Sequence, residues 1–161
     1  MRSERRNSGT ITGEKLSIGL LFVDDESSIR LTLPPILEEQ GFQVEVADDV
    51  PSALQQISSH RFDVILTDLN ITESRDGFAV VKAARAANPL CVAIVLTGYP
   101  DFESAVEAIN CGVDNYLVKP ADVETLVATI RQRLSTKASL VRHNSDMRPR
   151  PAKASENNPR D

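Results

Sequence analysis

At 161 residues and 41% hydrophobic content, the chain suits a single domain with a sizeable core. No apolar run approaches the ~18 residues of a membrane span, and the N-terminal MRSERRNSGTITGEK lacks the apolar stretch of a secretory signal. The net charge of −5 is segregated, with +2 over residues 1–15, −10 over the body and +3 over residues 135–161, so the body suits a cation rather than nucleic acid.

The first predicted element is the continuous apolar run Ile18–Val23, which ends on Asp24 and Asp25. Such runs, rich in Val, Ile and Leu, are what strands buried on both faces look like. Ser27–Gln40 follows with helical spacing and stops at Gly41, a residue suited to a left-handed helix end. Pro34 and Pro35 fall inside it. An interior proline removes a hydrogen bond and clashes with the preceding turn, so a kink or a helix in two pieces is expected. The second strand is Val44–Ala47. The helix Pro51–Ser58 opens on proline, where a missing N–H is harmless. Val64–Thr67 leads to Asp68, and Phe78–Ala87 is helical and stops before Asn88 and Pro89. Val92–Thr97 is the fourth strand. Asp101–Asn110 sets Phe102, Ala105, Val106 and Ile109 on one face, begins on an acidic cap and ends before Gly112. Tyr116–Val118 runs into Lys119 and Pro120, and Asp122–Leu134 is the last predicted helix. Beyond it the apolar period fades, so 135–161 reads as a disordered tail and 1–15 as a flexible extension of the body 16–134. The order is βα five times over, an α/β doubly wound, five-stranded parallel sheet with right-handed crossovers. Cys91 and Cys111 lack C-x-x-C spacing and read as packing thiols of a reduced, cytoplasmic protein.

Four of these strands end on polar or charged groups. In a parallel α/β sheet, ligands bind outside the carboxyl ends of the strands. Asp24, Asp25, Asp68, Thr97 and Lys119 therefore converge on one crevice, which holds three carboxylates, a hydroxyl and an ammonium. Singly, each has an ordinary reading: the paired acids as a helix cap, Asp68 as a turn residue, Thr97 as structural, Lys119 as a solvated strand end. Together they need compensation, because two like charges ~4 Å apart repel by about 4 kcal/mol at an effective dielectric near 20. A lysine and a hard cation supply it, and an oxygen-rich site suits Mg²⁺, which keeps waters for exchange with phosphate oxygens. Pro120 suits a cis bond after Lys119.

LLFVDDE, VILTDLN about 44 residues on, VLTG about 29 further and NYLVKP about 22 further resemble the response-regulator receiver domain of two-component signalling, over roughly Lys15 to Leu134. The resemblance implies a CheY-like, flavodoxin-like strand order 2-1-3-4-5. It makes Asp68 the phosphoacceptor, Asp24 and Asp25 the acidic pair on Mg²⁺, and the backbone carbonyl of Asn70 a further ligand. It makes Thr97 and Lys119 the hydroxyl and ammonium on the phosphoryl group, and Tyr116 the aromatic that turns inward as Thr97 closes. It implies a histidine kinase or histidine phosphotransfer protein as donor, and an unknown downstream protein bound at the surface of the fourth helix, fifth strand and fifth helix. That surface is also where a homodimer would form. Catalysis is then confined to the chain's own phosphorylation and dephosphorylation. A stand-alone regulator is expected, with a piece of a longer DNA-binding regulator or hybrid kinase as the alternative.

Two features depart from the family pattern. Position 72 is Thr where the family has proline, and Gly77 falls nine residues after Asp68 instead of eight, so this loop is one residue longer. The other departure is the Pro34-Pro35 pair, in the helix near which kinases of this system dock. Among other readings, Asp68-Leu-Asn70-Ile-Thr72 resembles the D-x-D-x-T nucleophile motif of haloacid-dehalogenase-like phosphatases, but Asn70 cannot serve as its general acid. A flavodoxin-like cofactor binder would need a Ser/Thr/Gly-rich phosphate loop where VDDES places two negative charges. A receiver kept only as a scaffold is disfavoured by the complete set of site residues.

Overall fold

The computed structural model describes residues 17–147. Residues as far as Ala121 form one compact unit, and those from Asp122 form a second. In the first, β1 (Ile18–Val23), β2 (Phe42–Ala47), β3 (Val64–Asp68), β4 (Val92–Thr97) and β5 (Asn115–Val118) alternate with α1 (Ser27–Glu39), α2 (Val50–Ser59), α3 (Gly77–Ala87) and α4 (Phe102–Asn110). The strands make one parallel sheet in the order β2-β1-β3-β4-β5, the expected α/β flavodoxin-like arrangement. The chain leaves β1 first to one side for β2 and then crosses to the other side for β3. Between β1 and β3 the crossovers diverge, and that divergence opens a crevice at the carboxyl ends of those two strands.

Strand alternation sorts the core. Leu21, Val23 and Ile65 pack with Ala53 and Ile57 of α2 and Val80 and Ala84 of α3. Ala93 and Val95 pack with Phe78 and Val81 of α3 and Ala108 of α4. The alternate positions Leu20, Phe22, Leu66 and Ile94 are fully buried and point to the opposite face of the sheet. Each such side chain contributes about 1.5–3 kcal/mol by leaving water, and the rigid sheet beneath the crevice is the result.

Two expectations are corrected. The first helix is not broken at Pro34 and Pro35: α1 is continuous from Ser27 to Glu39 with both prolines inside it. Proline's fixed φ is itself helical, so what is lost is the pair of donors that would have reached the Arg30 and Leu31 carbonyls. Burial of Pro34 and Leu37 holds the helix in place. It ends as its sequence suggests, with Gly41 at φ 96° donating its N–H to the Glu38 carbonyl.

The second correction concerns the region after Leu134. Helix α5 runs from Val123 to Asp146, so residues 135–146 are helical. No Gly or Pro interrupts them, and the polar residues that suggested disorder satisfy themselves locally. Thr136 Oγ1 donates to the Gln132 carbonyl, Ser139 Oγ to that of Ser135 and Ser145 Oγ to that of Val141. Asp122 caps the start by accepting the Thr125 N–H. The extension expected over 1–15 and the rest of the tail, 148–161, lie outside the described residues. No helix among the described residues is long and apolar enough to cross a membrane.

Gly77 ties the fold to the site. Its N–H donates to the Leu69 carbonyl at 2.9 Å, and a Cβ there would collide with the Asp68 carbonyl oxygen. Because both sides of that clash are backbone, no rotamer change relieves it. Gly77→Ala should therefore lower unfolding free energy by about 3 kcal/mol, at the upper end of overpacking effects, as read by urea denaturation. A loss below about 0.5 kcal/mol would show that the loop yields freely.

Candidate functional site

Asp24, the first residue after β1, is fully buried, and Asp25 beside it is exposed. Asp68 closes β3 and keeps 9% of its surface exposed. One carboxylate oxygen from each of the three lies within 4.8 Å of the others. The acidic pair does not cap α1: its N-cap is Glu26, whose side chain makes no cap bond. Instead Asp24 Oδ1 accepts the Glu26 N–H at 2.9 Å, and Arg30 donates to the Asp24 backbone carbonyl at 2.9 Å. Arg30 thus orients the turn that carries both acids, a role its place on α1 did not disclose.

Lys119 follows β5 and is joined to Pro120 by a cis peptide bond, as expected. Its N–H donates to the Thr97 carbonyl at 2.8 Å, which fixes where the side chain starts. The ammonium meets Asp24 Oδ2 at 2.8 Å and Asp68 Oδ1 at 3.5 Å. Thr97 is fully buried at the end of β4, and its hydroxyl oxygen accepts the Tyr99 N–H at 3.1 Å. Tyr116 packs beside the cluster of Leu69, Phe78 and Val95, with its hydroxyl 2.7 Å from that of buried Ser104 on α4. The sequence-predicted residues Asp24, Asp25, Asp68, Thr97 and Lys119 therefore all lie at the carboxyl ends of adjacent strands.

Burial pushes the Asp68 carboxyl above its ordinary range; Lys119 opposes this, while the charges of Asp24 and Asp25 add to it. Desolvation would pull the Lys119 ammonium down, but its bond and attraction to Asp24, with help from Asp68, leave it raised. Lys119 is thus held charged. Three carboxylates against one ammonium leave the crevice two charges negative, and clustered oxygens of this kind suit a hard divalent cation.

The loop after β3 is held by its own side chains. Asn70 Oδ1 accepts the Arg75 N–H at 2.7 Å, and the Asp76 carboxylate accepts the N–H groups of Ile71, Thr72 and Glu73 at 2.7–2.9 Å. Arg75 takes a left-handed φ of 60°. After that turn Gly77 donates its N–H to the Leu69 carbonyl, next to Asp68. An aspartate immediately before the glycine that opens a helix was a readable signal for a turn organiser. The partners that the loop's Arg75 takes were not readable.

Comparison with known proteins agrees with this geometry. A family model described as the response regulator receiver domain matches residues 20–131. The transcriptional regulatory protein ZraR of Escherichia coli K12 is 36% identical over 119 residues, 74% of this chain but 27% of that protein. The chain thus spans about a quarter of the length of such curated relatives. A CheY-like receiver domain from Methanospirillum hungatei superposes with a TM-score of 0.72 at 28% identity, covering 77% of this chain and 98% of that one. A response regulator from Burkholderia pseudomallei, solved with a phosphorylated aspartic acid, a calcium ion and citrate, gives 0.67 at 28% identity, covering 83% and 76%.

The raised Asp68 carboxyl has a consequence for stability. Its folded pKa lies above the unfolded value, so the ionised side chain weakens the fold once pH exceeds the unfolded pKa, and the penalty is complete above the folded one. In chelator at neutral pH, Asp68→Asn should be more stable than the parent by about 1 kcal/mol, the scale of partly compensated repulsion. That gain should vanish near pH ~3, where the carboxyl is protonated in both states. Equal or lower stability of the variant at neutral pH, by urea titration, would contradict the charge balance described.

Proposed function

Because the chain belongs to the response-regulator receiver family, we propose that Asp68 is its phosphoacceptor, loaded from a partner's phosphohistidine. The observation that carries this is the meeting of Asp68 with Lys119 and the Asp24–Asp25 pair in one crevice. An Asp68 carboxylate oxygen attacks phosphorus in line. The new P–O bond forms as the P–N bond breaks, and the leaving imidazole keeps the electron pair. Lys119, held charged by Asp24, is positioned to follow the negative charge as it moves onto the phosphoryl oxygens. Thr97 already accepts the Tyr99 N–H, so its own proton is available to a phosphoryl oxygen.

Asp24, Asp25, Asp68 and the Asn70 backbone carbonyl would hold Mg²⁺, which when bound supplies further charge compensation for the transferred group. Hydrolysis later uses a water on the same axis, so turnover is confined to the chain's own aspartyl phosphate and external phosphoesters are not substrates.

The output is a population shift read by a protein partner. Thr97 drawn toward the phosphoryl group would move the Tyr99 turn and the start of α4. The surface in reach is apolar: Tyr99, Phe102 and Ile109 are 83%, 83% and 77% exposed, with Val106 and Val118 nearby in the sequence of α4 and β5. Such a patch suits a downstream protein or a second copy of the chain. A regulator acting by protein contact in the cytoplasm, with no nucleic-acid contact from its acidic body, fits these features. The length of ZraR favours a second reading, in which the chain is the receiver module of a longer transcriptional regulator; the size of the native gene product on an immunoblot separates the two.

A small phosphodonor such as acetyl phosphate, with Mg²⁺, should label the parent and not Asp68→Asn. Lys119→Ala should slow labelling by about 100-fold, the usual scale for a lost charge-stabilising group. EDTA should abolish the reaction. Undiminished labelling of Asp68→Asn, located by mass spectrometry, would refute the assignment.

A further inference from the structure

Arg75 sits in the loop after Asp68, and its left-handed backbone sends the side chain to α4, far away in sequence. One terminal nitrogen lies 3.3 Å from Asp101 Oδ1 and 3.1 Å from Glu103 Oε2, and the other lies 3.6 Å from Glu107 Oε2. We infer that Arg75 is a clamp that couples the loop following Asp68 to the first turns of α4 and, through Asp101 and Ser104, to Tyr116. The consequence for signalling rests on the reading of Asp68 as the phosphoacceptor, whereas the clamp itself rests on the contacts alone.

The contacts form an unbroken series. Asn70, two residues from Asp68, accepts the Arg75 N–H at 2.7 Å. Three more N–H groups of this loop, those of Ile71, Thr72 and Glu73, are taken by Asp76, which limits the slack between its two ends. At the far end, Asp101 is the N-cap of α4: the Oδ1 that meets Arg75 also accepts the Ser104 N–H at 2.8 Å. The Ser104 hydroxyl lies 3.1 Å from the Asp101 carbonyl, to which it donates. A hydroxyl has one proton, so in the 2.7 Å contact between Ser104 and Tyr116 the tyrosine must be the donor. Tyr116 is thereby held to the same capping turn that Arg75 grips.

An arginine suits this place because its planar fork presents five donors and can serve several carboxylates together, which a lysine cannot. The Asp101 carboxyl, lowered first by its bonds to Ser104, stays ionised for Arg75 across the physiological range.

The test compares the full chain with Arg75→Asn, since asparagine tolerates a left-handed φ. Glu103→Gln combined with Glu107→Gln serves as a second variant that leaves the loop untouched. At rest, hydrogen exchange of the Ala105 and Val106 amides should quicken about fivefold in Arg75→Asn, with a smaller rise in the double variant and in Arg75→Lys. In 1 M salt the parent should move toward the variants. With Mg²⁺ and beryllofluoride, Arg75→Asn should bind within about threefold of the parent, yet its Tyr116 ring resonance should shift by less than half as much. Exchange in both variants within twofold of the parent would overturn the clamp. Failure of the parent to take beryllofluoride, with the resting difference intact, would sink the phosphoacceptor reading and leave the clamp standing.

Discussion

A carboxylate with no surface exposed to water needs a partner, and for Asp24 it is the Lys119 ammonium at 2.8 Å. An unpaired buried charge costs several kcal/mol, so this contact conditions everything else in the crevice. Lys119 reaches Asp24 only because β5 lies in register beside β4, with its backbone held by the Thr97 carbonyl, and because β1 and β3 are neighbours in the sheet. The same ammonium lies 3.5 Å from Asp68 and so offsets two of the three acids. What is left over is a negative crevice whose exposed member, Asp25, faces the solvent.

The backbone around Asp68 is under an equally firm constraint. Leu69 is bonded to Leu96 on one side and to Gly77 on the other, and the space above the Asp68 carbonyl admits no side chain at position 77. The loop between Leu69 and Gly77 has to meet that requirement. It does so by spending its own side chains, Asn70 and Asp76, on its own N–H groups and by placing one residue, Arg75, in the left-handed region. The Asp68 carboxylate is thereby held in place at the end of β3.

Two local readings misled, for opposite reasons. Prolines inside α1 suggested a kink or a break, because the loss of two hydrogen bonds is visible in sequence whereas the burial of Pro34 and Leu37 in one continuous helix is not. The polar residues after Leu134, serines and threonines among them, suggested disorder because the apolar period fades there. In α5 their hydroxyls turn back onto carbonyls one turn earlier, and no glycine or proline interrupts the run. The buried residues of α5, Leu126, Val127 and Ile130, lie in its first turns, which is why the apolar period fades before the helix does.

Strand and helix order, the parallel sheet and the five groups that converge on the crevice were all written in the chain. Period-two and period-3.6 patterning is a local property, and a parallel sheet obliges its strand ends to meet. The fork of Arg75 on Asp101, Glu103 and Glu107, the hold of Ser104 on Tyr116, and the support Arg30 gives the acidic turn were not. Each depends on where a long or rotatable side chain points across a gap between elements, and a charged or hydroxyl residue on an amphipathic helix looks the same in sequence whether it meets water or a partner. Only the assembled fold, by fixing distances between segments far apart in the chain, decides which.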